Sequence, residues 1–170
     1  MHTDGQPTNS LPQIRPITPA DNAVMAGIIR AVLTEFGAAK PGTVYYDPTT
    51  DDLHTLFATP GAAYHVAYTA DGAVWGGAGV YPTPGLPDGC CELVKLYLLP
   101  AARGLGLGKA LIENCFRLAR EMGYTQVYLE TMPELSMAVS LYERCGFQYL
   151  QAPLGNSGHF GCNIWMVRHL

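Results

Sequence analysis

The segment Pro100-Ala101-Ala102-Arg103-Gly104-Leu105-Gly106-Leu107-Gly108-Lys109 runs from a strand pattern, Cys90–Leu99, into the strongest amphipathic helix pattern of the chain, Gly106–Met122. Its three glycines at alternate positions let the backbone pass close to a ligand and turn its N–H groups outward. Those donors, with the positive end of the helix dipole, suit a phosphate group. Glycines alone fit a plain strand-to-helix turn equally well. Two other phosphate loops fail on spacing. A dinucleotide fingerprint needs a third glycine where Lys109 stands, and a Walker loop needs Gly and Ser/Thr where Arg103 and Ala110 stand.

Outward from this turn the chain reads as alternating strands and helices. Downstream, Leu111, Ile112, Cys115, Phe116, Leu118, Ala119 and Met122 share the buried side of a helix that Gly123 stops. A strand at Gln126–Glu130 follows, then a helix at Leu135–Cys145 closed by Gly146, then strands at Phe147–Leu150 and Cys162–His169. Upstream, strands at Ala63–Thr69 and Val74–Tyr81 flank an Asp-Gly turn at 70–73. Gly76, Gly77 and Gly79 in the second of these indicate close packing or a ligand near the backbone.

Nearer the start, Gln13–Ile17 is a strand, and Thr18-Pro19-Ala20-Asp21 has the makings of a capping box with Pro at the first helical position. Val24, Met25, Ile28, Ile29, Val32, Leu33 and Phe36 then recur at helical spacing up to Gly37. A loop holding Tyr45 and Tyr46 precedes a short helix at Asp51–Ala58. The order is strand, two helices, three strands, helix, strand, helix, two strands, which predicts a mixed α/β domain on one central sheet. Residues 1–12 read as a flexible tail, leaving 13–170 as a single domain.

The glycine turn resembles the CoA-binding motif Q/R-x-x-G-x-G/A of the GNAT superfamily of acyl-CoA N-acyltransferases, on Arg103, Gly106 and Gly108. The strand Glu92–Leu99 with Pro100 looks like that family's fourth strand. Ala138-Val139-Ser140-Leu141-Tyr142-Glu143-Arg144-Cys145-Gly146-Phe147 looks like its A-x-x-L-Y-x-x-x-G-F signature. The resemblance covers Cys90–Leu150 by motif and Gln13–Tyr81 by element order.

The resemblance implies a GNAT-like α/β (α+β) fold, with a mixed central sheet of about six to seven strands and about four helices. It implies an N-acetyltransferase that moves an acetyl group from acetyl-CoA to a primary amine of a small molecule or peptide, by direct attack in a ternary complex. Backbone amides from Arg103 to Gly108 would hold the pyrophosphate. The cofactor-binding set is then Leu96, Tyr97 and Leu98, pairing with pantetheine, together with Arg103, Gly104, Leu105, Gly106, Leu107, Gly108 and Lys109. The acyl group would lie near Glu92 and Tyr142. Many members carry Asn seven residues before the signature Tyr; Leu135 stands here, which removes the basis for one cofactor hydrogen bond.

Acetyl transfer to an amine needs a base for the amine, a donor for the developing oxyanion and a proton for the departing thiolate. Tyr142 is the candidate acid, against a plain packing role beneath its helix. Glu92 is the candidate base, because a carboxylate within a sheet is costly to bury unless used or paired. Glu130 is the alternative base. The oxyanion donor is expected to be a backbone N–H of the fourth strand. Tyr45, Tyr46, Glu130 and His159 are candidate acceptor-side residues, with Asp47 beside the tyrosines. His159 and Cys162 have metal-like spacing without a matching half-site, so no metal is expected.

Composition narrows the remaining choices. A net charge of −4 without a basic stripe argues against nucleic-acid binding. No apolar run is long enough to span a bilayer, no signal-like segment opens the chain, and the five cysteines are odd in number. A reducing cytoplasm is the expected setting. Charged residues are only 14% of the chain, which permits an apolar partner surface such as a homodimer interface. The competing reading is a non-catalytic CoA-binding regulatory or interaction domain on the same scaffold. The presence of both Glu92 and Tyr142 argues against it.

Overall fold

The computed structural model describes residues 12–170; the tail assigned to residues 1–12 lies, except for Pro12, outside them. Seven strands form one sheet: β1 (Gln13–Pro16), β2 (Ala63–Tyr68), β3 (Val74–Tyr81), β4 (Cys90–Leu98), β5 (Gln126–Thr131), β6 (Gln148–Leu150) and β7 (Ile164–His169). Their order is β1-β2-β3-β4-β5-β7-β6, antiparallel throughout except for the parallel pair β4–β5. Four α-helices flank it: α1 (Asn22–Glu35), α2 (Leu53–Leu56), α3 (Leu107–Glu121) and α4 (Ser136–Arg144).

The sheet divides the core in two. Leu111, Ile112 and Cys115 of α3 and Tyr142 of α4 pack with Cys91, Leu93 and Val127 on one face. Met25, Ile29 and Leu33 of α1 pack with Tyr64, Val66 and Leu53 on the other. At the start of α1, the Asp21 carboxylate accepts from the Thr18 backbone N–H at 2.8 Å and from Arg15 at 2.7 Å. The predicted capping box therefore forms, on a 3-10 turn at Pro19–Asp21 that leads into α1.

Some expectations need correction. The helix expected at Asp51–Ala58 is a 3-10 turn, Pro48–Asp51, followed by the single turn of α2. Asp52 breaks the run because it acts as an N-cap, accepting from the Thr55 N–H at 3.2 Å. Met122 is 37% exposed, not buried, because α3 ends one residue before it; Val24 lies on the outer side of α1. The last strand starts at Ile164, since Cys162 is held in a turn by donating to the His159 carbonyl.

Two irregularities shape the centre of the sheet. The β4–β5 pairing covers only Cys90–Glu92 against Gln126–Tyr128. Beyond that point β4 continues with β3 and β5 with β7, so the two strands part and leave a cleft with Glu92 at its apex.

The second irregularity is a bulge in β4. Gly79 faces Val94 and Gly77 faces Tyr97, so two steps on β3 span three on β4. The hydrophobic alternation records the same slip. Cys91 and Leu93 face α3 before the bulge, and Leu96 and Leu98 face it afterwards. Lys95, at φ 54°, is the one non-glycine residue with positive φ among the described residues. Such a conformation costs on the order of 1 kcal/mol.

The bulge explains the glycines of β3. A side chain at Gly77 or Gly79 would run into the Tyr64 ring, 2.6 Å from the added carbon. The buried Tyr64 passes beneath them, and its hydroxyl donates to the Lys95 carbonyl at 2.7 Å. These glycines make room for a tyrosine that pins the bulge, not for a ligand.

Candidate active site

Between the parted strands lies a cleft of about 410 Å³, reaching from Glu92 and Glu130 to the glycine turn before α3. At its outer end the turn is held open by backbone geometry. Gly104 and Gly106 adopt φ of 76° and 77°, where only glycine sits without strain. The Ala110 amide closes the first helical bond to the Gly106 carbonyl, and none of the amides from Gly104 to Lys109 donates to a backbone carbonyl. They are the orphan donors of a helix N-terminus.

The expectation for the Arg103 amide is corrected here, although the residue itself lines the cleft. Its amide donates to the Pro100 carbonyl at 3.2 Å, so the free donors begin at Gly104. Its guanidinium grips both oxygens of Glu35, at 2.8 and 2.7 Å, donates to the Leu98 carbonyl and lies over the Phe36 ring. Arg103 therefore fastens the turn to α1. Gly108 serves packing as well, since a side chain there would meet Leu141 of α4 at 2.8 Å. Leu105 is largely exposed and does not line the cleft; Lys109 does.

Tyr142 and Glu92 both reach the cleft. Tyr142 is 7% exposed, and burial raises its pKa above that of an ordinary phenol, so it stays protonated at neutral pH. Glu92 is 3% exposed, and its Oε1 accepts from the Thr83 hydroxyl at 2.6 Å. Burial pushes its carboxyl up to about 7, against the Thr83 bond, and the neighbouring Glu130 charge adds to the rise. Glu130 is more fully engaged. It accepts from the Tyr128 hydroxyl at 2.9 Å and from the Ser157 hydroxyl.

The acceptor end is closed by the loop before β7. Ser157 accepts from the His159 amide at 3.1 Å, and His159 Nε2 donates to Asp47 Oδ2 at 3.1 Å. The Asp47 carboxyl is held well below the usual range, first by His159 and further by Thr49 and Lys95. Polar atoms of Glu92, Glu130 and His159 lie within 4.8 Å of one another, close enough to hold a metal ion or a substrate ammonium.

Tyr45 and Tyr46 do not line this cleft. Their rings pack edge to face, and Tyr46 is 60% exposed. Of that loop Thr43 and Val44 line the cleft, and Asp47 joins the site through its bond with His159 and its ion pair with Lys95. Lys95 was absent from the sequence-derived candidates, because unbroken strand alternation turns it away from Glu92. Its signal was a lysine within an apolar strand opposite three glycines.

The remaining polar groups bear on the chemistry. Thr131 Oγ1 lines the cleft and is, among the described residues, the one buried side-chain polar atom without a hydrogen-bond partner. Cys162, the one cysteine lining the cleft, has its thiol pushed up to about 12 by burial, so it is not a thiolate nucleophile. All five cysteines are free.

A splayed mixed sheet, a free-amide turn at a helix N-terminus and a cleft lined by both a buried carboxylate and a buried tyrosine fit a CoA-dependent acyltransferase. The Acetyltransferase (GNAT) family matches residues 29–147, and the chain belongs to that family. It is 42% identical over 160 residues to the uncharacterized N-acetyltransferase YjgM of Escherichia coli K12, covering 94% of this chain and 95% of that one. An uncharacterized N-acetyltransferase of Schizosaccharomyces pombe is 34% identical, over 76% and 80% of the two chains.

Among solved structures, a GNAT-family acetyltransferase from Staphylococcus aureus Mu50 superposes with a TM-score of 0.82 at 17% identity, covering 93% of this chain and 98% of its own. YncA of Salmonella typhimurium, a putative acetyltransferase solved with acetyl-CoA, gives 0.71 at 20% identity and 94% coverage of both chains. The protein is an acyltransferase with acetyl-CoA as acyl donor.

Proposed function

We propose that the protein acetylates a primary amine by direct attack within a ternary complex, with Glu92 as general base and Tyr142 as general acid. The observation that carries this is the placement of a buried carboxylate, with pKa about 7, at the apex of a cleft that a protonated tyrosine also lines. A base near the operating pH combines a useful ionised fraction with real proton affinity. Cys162 is the one cysteine at hand and stays protonated, which favours one-step transfer over an acyl-cysteine intermediate.

The free amides from Gly104 to Lys109 suit the pyrophosphate of CoA, and the β4 edge at Leu96–Leu98, unpaired on the cleft side, suits the pantetheine amides. When bound, acetyl-CoA supplies a thioester carbonyl open to attack. Glu92 takes the proton from the incoming ammonium, directly or through one water. Tyr142 returns a proton to the departing sulfur.

The test is a thermal-shift series with acetyl-CoA, longer acyl-CoAs, NAD and ATP, followed by an amine screen for free-thiol release. A ligand that binds only the native state raises its stability by mass action, about 2.7 kcal/mol at a hundred times Kd. The expected result is a shift confined to the CoA series, with thiol released when a suitable amine is present. No shift with any CoA ester, or CoA binding without turnover across all amine classes, would sink the reading.

A further inference from the structure

We infer that the amine acceptor carries a carboxylate beside its amine, as a free amino acid does, and that Lys95 is the residue that reads it. This rests on the acetyl-transfer reading above and deepens it. The Lys95 side chain is 4% exposed, lines the cleft and carries three N–H donors. Its nearest charge is Asp47 Oδ2 at 3.6 Å, beyond hydrogen-bond length, and that oxygen is already bonded by His159. Lys95 and Asp47 thus form a long ion pair, and among the described residues Lys95 Nζ makes no closer contact with a carboxylate, although Glu92 and Glu130 also line the cleft.

An ammonium on a buried side chain, compensated by one long ion pair, is costly, and the fold incurs a second cost to place it there. The β4 bulge puts a non-glycine residue at φ 54°, and Tyr64 is bonded to its carbonyl to hold it. Glycine at this position would remove the strain, so it is the lysine side chain that the strain serves. The slip of one residue turns Lys95 to the side of the sheet shared by Glu92.

The cleft is therefore dipolar at its acceptor end. Glu92 and Glu130 form an anionic pole suited to an ammonium, and Lys95 forms a cationic pole three residues along the same strand. An amine flanked by a carboxylate satisfies both poles, whereas a polyamine leaves Lys95 opposed by like charge. A lysine side chain within a protein has no free carboxylate to offer.

The experiment uses the intact protein with acetyl-CoA and three matched sets of acceptors: amino acids, their amides and their decarboxylated amines. Turnover is read by free-thiol release, and binding to the CoA-loaded protein by calorimetry. Charged hydrogen bonds of this kind correspond to roughly 10- to 100-fold. The expected result is kcat/KM for the preferred amino acid at least that far above its amide and amine, carried mainly by KM.

Lys95→Met should then lower kcat/KM for the amino acid at least 10-fold more than for the matching amine, and Lys95→Arg should restore part of the difference. Melting temperature and acetyl-CoA affinity of both variants report on folding. Amides or amines bound and turned over as well as amino acids would overturn the inference, as would an equal loss for all acceptors in Lys95→Met. Carboxylate-dependent binding without turnover would instead sink acetyl transfer and leave the role of Lys95 standing.

Discussion

Glu92 carries the clearest pH signature of any residue in the cleft. Its carboxyl must be ionised to accept a proton, so kcat/KM should fall as pH drops through about 7. Glu92→Gln should flatten that limb and lower kcat/KM roughly 10²-fold or more, read from a pH–rate profile. The same burial acts on stability with the opposite sign. Because the folded pKa is raised from 4.5 to about 7, the folded state holds the proton more tightly across that window. Stability contributed by protonated Glu92 is present below the unfolded value and is lost as pH rises through about 7, by about 3 kcal/mol in all. Glu92→Gln should melt above the parent protein at pH 8 and close to it at pH 4; equal melting at both would contradict the burial argument. Tyr142→Phe keeps the ring and removes the proton, so kcat should drop roughly 10²-fold with acetyl-CoA affinity held. An unchanged rate would remove Tyr142 as the acid.

At the scale of elements, the turn into α3 and the parting of β4 from β5 do separate jobs. Gly106 sits in the left-handed region with open space beside it. Gly106→Asp puts strain in the backbone and a negative charge among the amides of Gly104–Lys109, so acetyl-CoA should no longer raise the melting temperature. Retained affinity would overturn the assignment of this turn to the pyrophosphate. The glycines of β3 follow a different logic, because Tyr64 and not a ligand fills the space over Gly77 and Gly79.

The whole molecule joins the acceptor end from distant parts of the chain. The Gly161 amide donates to the Gly42 carbonyl at 2.9 Å, the Asn156 amide to the Pro84 carbonyl at 2.8 Å, and His159 pairs with Asp47. The loop before β7 thereby straps across the cleft, with side-chain bonds at Ser157 and His159. His159→Ala should lower amide hydrogen-exchange protection around Gly161 while leaving the amides of α3 as they were. Uniform loss of protection would show that His159 supports the fold at large instead of this strap. Among the described residues no helix is long and apolar enough to cross a membrane.

The sequence by itself determined the element order and a mixed central sheet flanked by helices, and it singled out the glycine turn, Glu92 and Tyr142, which the fold brings to one cleft. Each of these rests on local signals: periodicity, helix punctuation by Gly37, Gly123 and Gly146, and two motifs of short span. What only the tertiary structure decided depends on residues far apart in the chain. The bulge that turns Lys95 into the cleft exists because Tyr64, thirty-one residues away, bonds its carbonyl across a strand of glycines. The engagement of Glu130 by Ser157, the pairing of Asp47 with His159, and the anchoring of Arg103 on Glu35 are likewise long-range contacts. Strand alternation carries no record of a one-residue slip whose cause lies in a neighbouring strand, so the cationic pole of the cleft became visible only in the folded molecule.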